Sequence, residues 1–192
     1  METDDRVSVK YIKTTHIPLK MAVAHNPSEI LAVVDNNDNI INKAPREEVH
    51  ARGMWHREIC CFIINLKKQL LLQRRKDNHL WDGSCAGHFP FSQTYEEAVI
   101  RETEEELGIH VEPNDLKELA KEKLAVCSKI NNRFAKVFVV QKDIPLEIYK
   151  IDKAEVEEVK YFSKAEINAL LLSNEVTPTS KYLIGKYILA LL

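Results

Sequence analysis

Four glutamates crowd one stretch of this chain. Glu102, Glu104, Glu105 and Glu106 fall within GHFPFSQTYEEAVIRETEEELGI, which runs from Gly87 to Ile109. Thr94 and Glu97 have the spacing of a capping box and Gly108 supplies a stop, so a helix is predicted from Tyr95 to Leu107. At roughly 100° per residue, Glu102 and Glu106 lie about 40° apart, with Glu105 about 60° to the other side of Glu102. Glu104 is turned about 200° away and is expected in solvent. Like charges at i,i+4 cost an isolated helix about 0.2–0.5 kcal/mol, and anions near its C-terminus cost about 0.3–1 kcal/mol. One reading is a solvated acidic face that tolerates this cost. The other is a site for a hard divalent cation such as Mg²⁺, which binds carboxylate oxygens and keeps waters that bridge to phosphates. Spacing alone leaves both open.

The stretch resembles the Nudix box, Gly-x5-Glu-x7-Arg-Glu-apolar-x-Glu-Glu-x-Gly-apolar. The register is Gly87, Gln93, Arg101, Glu102, Thr103, Glu105, Glu106, Gly108 and Ile109. The resemblance implies Mg²⁺ or Mn²⁺ held by Glu102, Glu105 and Glu106, one of which can instead help activate water, with the Gly87 carbonyl completing the shell. It also implies a metal-contacting or water-activating role for Glu155, in DKAEVEEV; an ordinary exposed loop acid is the competing reading. Gln93 stands where the pattern has its first acid, Ser92 where Gly is frequent, and Thr103 at an apolar position. Arg101 is the expected organiser of loop against helix. Gln93 keeps a hydrogen bond to it without the charge, so weaker bracing of the loop is expected rather than loss of the metal site. Arg75 and Lys76 follow a strand near the box and are candidates to hold a diphosphate.

The elements around the box come from 192 residues, 45% of them hydrophobic, enough for one domain with a sizeable core. The 27 basic and 29 acidic residues leave a net charge of −2 and no basic run that tracks a nucleic-acid duplex. Cys60, Cys61, Cys85 and Cys127 form no CxxC pair and read as reduced, packed thiols. No apolar stretch reaches the roughly 18 residues of a membrane span, and METDDRVSVKYIK has no signal core, so a cytoplasmic protein without a membrane partner is expected. EILAVVDNNDNIINKAPREEVH has two short apolar runs about Asn36-Asn37-Asp38-Asn39 and reads as a hairpin leading into a loop. Glu58–Asn65 and Gln69–Arg74 read as a second, more buried hairpin; Arg133–Gln141 and Val156–Phe162 read as later strands. Ser163 with Glu166 caps a further helix, and Pro178 opens a terminal one reaching Leu192. This is an α+β pattern. The resemblance makes it a Nudix α/β/α sandwich with a mixed sheet and a preceding hairpin, organised as an extension over 1–28 and a Nudix domain over 29–192.

From about Glu29 to Phe162 the resemblance is to the Nudix branch that is similar to isopentenyl diphosphate isomerase, through VDNNDNIINKAPREEVHARGMWHREI, LLLQRR, WDGSCAGH and EVEEVKYF. That isomerase has Cys directly before the box Gly, a histidine-rich metal site and acids on a later strand. Here Ala86 precedes Gly87, Asn131 and Arg133 align with those acids, and the paired Glu105 and Glu106 are present where the isomerase lacks them. The implied function is a hydrolase cleaving a small-molecule diphosphate by water attack at phosphorus. The isomerase and a non-catalytic nucleotide- or protein-binding Nudix module are its rivals. His50, His56 and His88 resemble that isomerase's histidine-rich metal site, His88 following the box Gly and the other two lying in one loop-to-strand segment; without its acids they are read as ordinary hydrogen-bonding or substrate-side residues, and Lys67, Lys68, Lys121 and Lys123 as surface charge. The terminal SKYLIGKYILALL has apolar surface for packing on the domain or forming a homodimer.

Overall fold

The computed structural model describes residues 10–12, 26–126 and 131–192. Cys127 and most of the 1–28 extension lie outside them. In chain order the elements are β1 (Lys10–Ile12), β2 (Ile30–Val34), β3 (Ile40–Pro45), α1 (Arg46–Ala51), β4 (His56–Ile64) and β5 (Leu70–Arg75). There follow β6 (Trp81–Asp82), β7 (Cys85–His88), α2 (Tyr95–Leu107), β8 (Leu116–Val126), β9 (Asn131–Gln141), β10 (Val156–Phe162), α3 (Lys164–Leu172) and α4 (Pro178–Leu183).

The strand β4 organises the sheet. One edge pairs in parallel with β9 along its whole length. Its other edge meets β2 at His56, β7 from Glu58 to Cys61 and β5 at Ile63 and Ile64, all antiparallel. Side chains alternate with period two along a strand. Cys60, Phe62 and Ile64 therefore pack with Ile167, Leu170, Leu183 and Ile184 of the C-terminal helical segment. Ile59, Cys61 and Ile63 pack on the opposite face with Tyr95, Ala98, Val99 and Leu107 of α2. Burial on both faces explains why EICCFII reads as a continuous apolar run rather than an alternation. The result is the α+β mixed sheet with helices on both faces that the sequence leads one to expect.

The Thr94/Glu97 capping box forms at one end of α2, and Gly108 ends it at φ 64°, where an added Cβ would lie 2.6 Å from the Lys150 backbone oxygen. Other expectations need correction. The first hairpin leads into the short helix α1, not a loop. The terminal helix does not run regularly to Leu192; after α4 it widens into a π-type turn over Ile184–Ile188. Leu183, Ile184 and Ile188 are fully buried, so this segment packs on its own domain. Lys123 is buried, with Nζ 4.6 Å from the Trp55 ring centre, and so is not surface charge; Lys121 stays exposed, as expected, and pairs with Asp38 at 2.6 Å.

Candidate active site

The capped helix α2 carries Glu102 and Glu106 into the protein while Glu104 and Glu105 stay exposed. The turn between β7 and α2 brings Gly87 against this face. A Cβ on Gly87 would lie 2.8 Å from Glu102 Oε1 and 2.9 Å from its Cδ, so only glycine lets the carboxylate rest on the β7 backbone. Arg101 ties the loop down: Nε donates to Gln93 Oε1 at 3.1 Å, Nη2 to Glu102 Oε1 at 2.7 Å and Nη1 to Glu105 Oε2 at 2.5 Å. The amide at position 93 thus accepts from Arg101 with no charge of its own. Thr103, fully buried, satisfies its hydroxyl on the Val99 and Ile100 carbonyls of the same helix. A small polar residue is tolerated there because the helix itself accepts the proton.

Electrostatics set this cluster apart. Burial pushes Glu102 up to about 7 even though Arg101 pulls the other way, and the charges of Glu105 and Glu155 add to the rise. Burial holds Glu106 well above the usual carboxylate range, the Glu102 charge reinforces it, and Gln73 opposes it. Gln73 Nε2 donates to Glu106 Oε2 at 2.7 Å from the buried strand β5. Glu155 is half-buried and also raised, by burial and then by Asp152. These carboxylates are short of positive charge, a condition that hard divalent cations relieve. Oxygen donors from Glu102, Glu105, Glu106 and the Gly87 carbonyl are the kind such an ion takes.

The other candidates lie around this cluster. Arg75 is held by Asp77 at 2.9 Å and Asp82 at 3.4 Å while its charge acts on Glu106, and Lys76 is exposed beside it. Asp82 in turn accepts from Thr177 at 2.8 Å and from the Ser180 hydroxyl, anchoring α4 behind the site. His50, His56 and His88 come together with ring centres 4.7–5.0 Å apart. Burial lowers His50 to about 4 and His56 to about 3, so both are neutral at pH 7. Cys85 is fully buried against Cys61, and its thiol is pushed up by that contact and by burial, the state of a packed thiol rather than a nucleophile.

Two contributors were missed in the sequence. The lone polar residue in the buried run LLLQ was a signal for Gln73. Arg46, which reaches Glu29 at 3.4 Å and His88 Nδ1 at 2.8 Å, gave none, because its partners are distant in the chain.

The family model described as NUDIX domain matches residues 54–183. A Nudix hydrolase of Clostridium acetobutylicum is 31% identical over 160 residues, 77% of this chain and 76% of that protein. An isopentenyl-diphosphate Delta-isomerase of Photorhabdus laumondii is 39% identical over 85 residues, 42% of this chain and 48% of that protein. A crystal structure from Deinococcus radiodurans superposes with a TM-score of 0.63 at 21% identity, covering 77% of this chain and 91% of that one, a likeness of fold. No helix among the described residues is long and apolar enough to cross a membrane. The chain belongs to the Nudix family of hydrolases acting on phosphoric anhydrides.

Proposed function

We propose that this chain cleaves the diphosphate linkage of a nucleotide-like or other organic diphosphate by attack of water at phosphorus, using Mg²⁺ or Mn²⁺ held by Glu102, Glu105, Glu106 and the Gly87 carbonyl. The observation that carries this reading is the pair of buried carboxylates, Glu102 and Glu106, both raised by burial where α2 meets Gly87. The bound cation supplies neutralisation of phosphate charge and acidification of water. The remaining work falls to the chain. Gln73 fixes one Glu106 oxygen, and Arg101 fixes Glu102 and Glu105 while bracing the loop at Gln93. Glu155, half-buried and raised by burial and by the charge of Asp152, is suited to accept a proton. Arg75, whose charge acts on Glu106, and the exposed Lys76 beside it are the basic residues assigned to hold the diphosphate.

An isomerase reading is favoured by the Photorhabdus match and opposed by Arg133, a buried cation paired with Glu58 on the strand where the isomerase has acids. One panel decides: nucleoside diphosphate sugars, dinucleotides, nucleoside triphosphates and prenyl diphosphates, each with Mg²⁺. Release of a phosphorylated product is expected. Isomerisation of isopentenyl diphosphate without such release overturns the proposal, as does binding without turnover across the panel, which would mark a non-catalytic module.

A further inference from the structure

Beside the carboxylate cluster lies a second polar pocket, with a different charge balance. His56 and Glu58, two residues apart on β4, share one face of the sheet. His88 of β7 lies directly opposite Glu58, and Arg133 of β9 lies opposite His56. Over them α1 lays Arg46 and His50. Ligating nitrogens of the three imidazoles fall within 4.8 Å of one another, and all three Nε2 atoms are buried without a hydrogen-bond partner. Convergence of three orphaned imidazole nitrogens is what a zinc-like site would require.

Two guanidiniums argue the other way. Arg133, only 4% exposed, pairs with Glu58 and donates to Thr179 Oγ1 of α4 at 2.5 Å, so a full positive charge is fixed within the cluster. Arg46 Nη2 lies 2.8 Å from His88 Nδ1. A guanidinium has only donors, so Nδ1 must accept, and the neutral ring then carries its proton on Nε2. A nitrogen bearing a proton has no lone pair for a metal. His56 has the opposite tautomer, because its Nδ1 donates to the Met54 carbonyl at 2.9 Å and leaves Nε2 with a lone pair. A water molecule matches this pattern: it accepts from His88 Nε2–H and donates to His56 Nε2, with His50 Nε2 as its third neighbour.

We propose that the His50–His56–His88 pocket is a buried-water site that Arg133 and Arg46 close to metal ions, and that removing the Arg133 charge opens it to a soft divalent ion held by the imidazoles and the released Glu58. Arg133 acts as the pocket's permanent cation. This inference does not rest on the hydrolase reading, and its test needs no turnover.

The experiment uses tag-free, chelator-stripped full chain held in excess Mg²⁺, so that the carboxylate cluster beside Gly87 is already occupied, with long-range ¹H–¹⁵N NMR of the imidazoles during Zn²⁺ titration. In the wild type His88 is expected as the Nε2–H tautomer, and no His50, His56 or His88 resonance shifts with Zn²⁺. Arg133→Gln is expected to bind one Zn²⁺ at least tenfold more tightly than wild type, an increment abolished by adding His56→Ala. Arg46→Gln, which leaves the Arg133–Glu58 pair intact, is expected to release the fixed tautomer of His88. Zn²⁺-dependent imidazole shifts in the wild type, a wild-type His88 protonated on Nδ1, or no gain of Zn²⁺ affinity in a folded Arg133→Gln each overturn the proposal. The wild-type spectra decide even where Arg133→Gln fails to fold.

Discussion

Two polar pockets flank the same pair of strands one residue out of phase. Gly87 turns toward α2 and receives Glu102, whereas His88, the next residue, turns toward Arg133 and, through it, α4. Both pockets bury ionisable groups, and they settle the cost differently. On the α2 side Arg101 is shared among Gln93, Glu102 and Glu105 and does not reach Glu106, so the buried acids are held toward their neutral forms. On the α4 side a complete cation, Arg133, sits beside one carboxylate and three neutral rings. The first pocket is short of positive charge and suits an exogenous cation; the second already contains its own. Conversion of one such environment into the other takes only a charge on a neighbouring strand.

The largest expected effect is on the deficient pocket. Glu106→Gln keeps the shape and the hydrogen-bonding reach to Gln73 but removes an acid proposed as a metal ligand. Turnover with Mg²⁺ is expected to fall by more than the roughly 10–100-fold typical of losing a metal's outer-shell partner. Because the replaced acid is buried and held well above its usual range, the melting temperature without metal is expected to hold or rise. Steady-state kinetics and a thermal melt check both, and undiminished turnover would remove Glu106 from the chemistry.

Next in size is the pH dependence of stability. Glu102 has a folded-state value raised from 4.5 to about 7, so its contribution is present below about pH 4.5 and is lost as pH rises through 7; the loss is on the order of 3 kcal/mol. Mg²⁺ binds the ionised form and is expected to cancel that loss. His50 and His56 are lowered from 6.5, so their contribution is present above pH 6.5 and is lost on acidification toward 4 and 3. The difference between urea melts with and without Mg²⁺ therefore isolates the carboxylates and is expected to grow from pH 5 to pH 8. A Mg²⁺ effect confined to the acid side would reverse the assignment of the two pockets.

Part of the deficient pocket was legible because it is local: Thr94, Glu97 and Gly108 bound α2, and helical spacing puts Glu102 and Glu106 on one buried face, whereas Glu105, expected to converge with them, stays exposed like Glu104 and pairs with Arg101. In the α4-side pocket the three histidines could be grouped only through the isomerase resemblance, and their contact with Arg46 and Arg133 not at all, since these residues come from α1, β4, β7 and β9. The strand β8 also escaped notice. Its sequence LKELAKEKLAV is rich in good helix formers, but pairing with β9 from Leu116 to Val126 overrides that preference. Its lysines read as surface charge because no sequence pattern announces that Trp55 and Phe134 will cover Lys123. Gln73 illustrates the same limit at the site: its residue type in a buried run is suggestive, yet its partner lies 33 residues away.

Gln73→Leu sharpens the comparison from the second layer. It leaves a buried Glu106 oxygen without its donor, and about a tenfold loss of turnover with a higher Mg²⁺ requirement is expected. Kinetics at several Mg²⁺ concentrations test this; a change in melting temperature with unaltered Mg²⁺ dependence would reduce Gln73 to a packing role.

The smallest effect is expected at Gln93. Gln93→Glu supplies a carboxylate where Arg101 Nε now meets an amide oxygen at 3.1 Å, on a half-exposed loop. A pair of this exposure contributes about 0.2–1 kcal/mol, a factor of roughly five at most. The added charge also faces Glu102 and Glu105 across Arg101, which opposes ionisation of Glu102 until a cation is bound. The two effects offset in the metal-free protein and act together once Mg²⁺ is present. Gln93→Glu is therefore expected to leave the metal-free melting temperature almost unchanged, to raise Mg²⁺ affinity a few-fold and to alter turnover at saturating Mg²⁺ little. A gain of a hundredfold in turnover at saturating Mg²⁺ would mean that position 93 takes part in the chemistry itself, and that the pocket's shortage of positive charge is not what limits it.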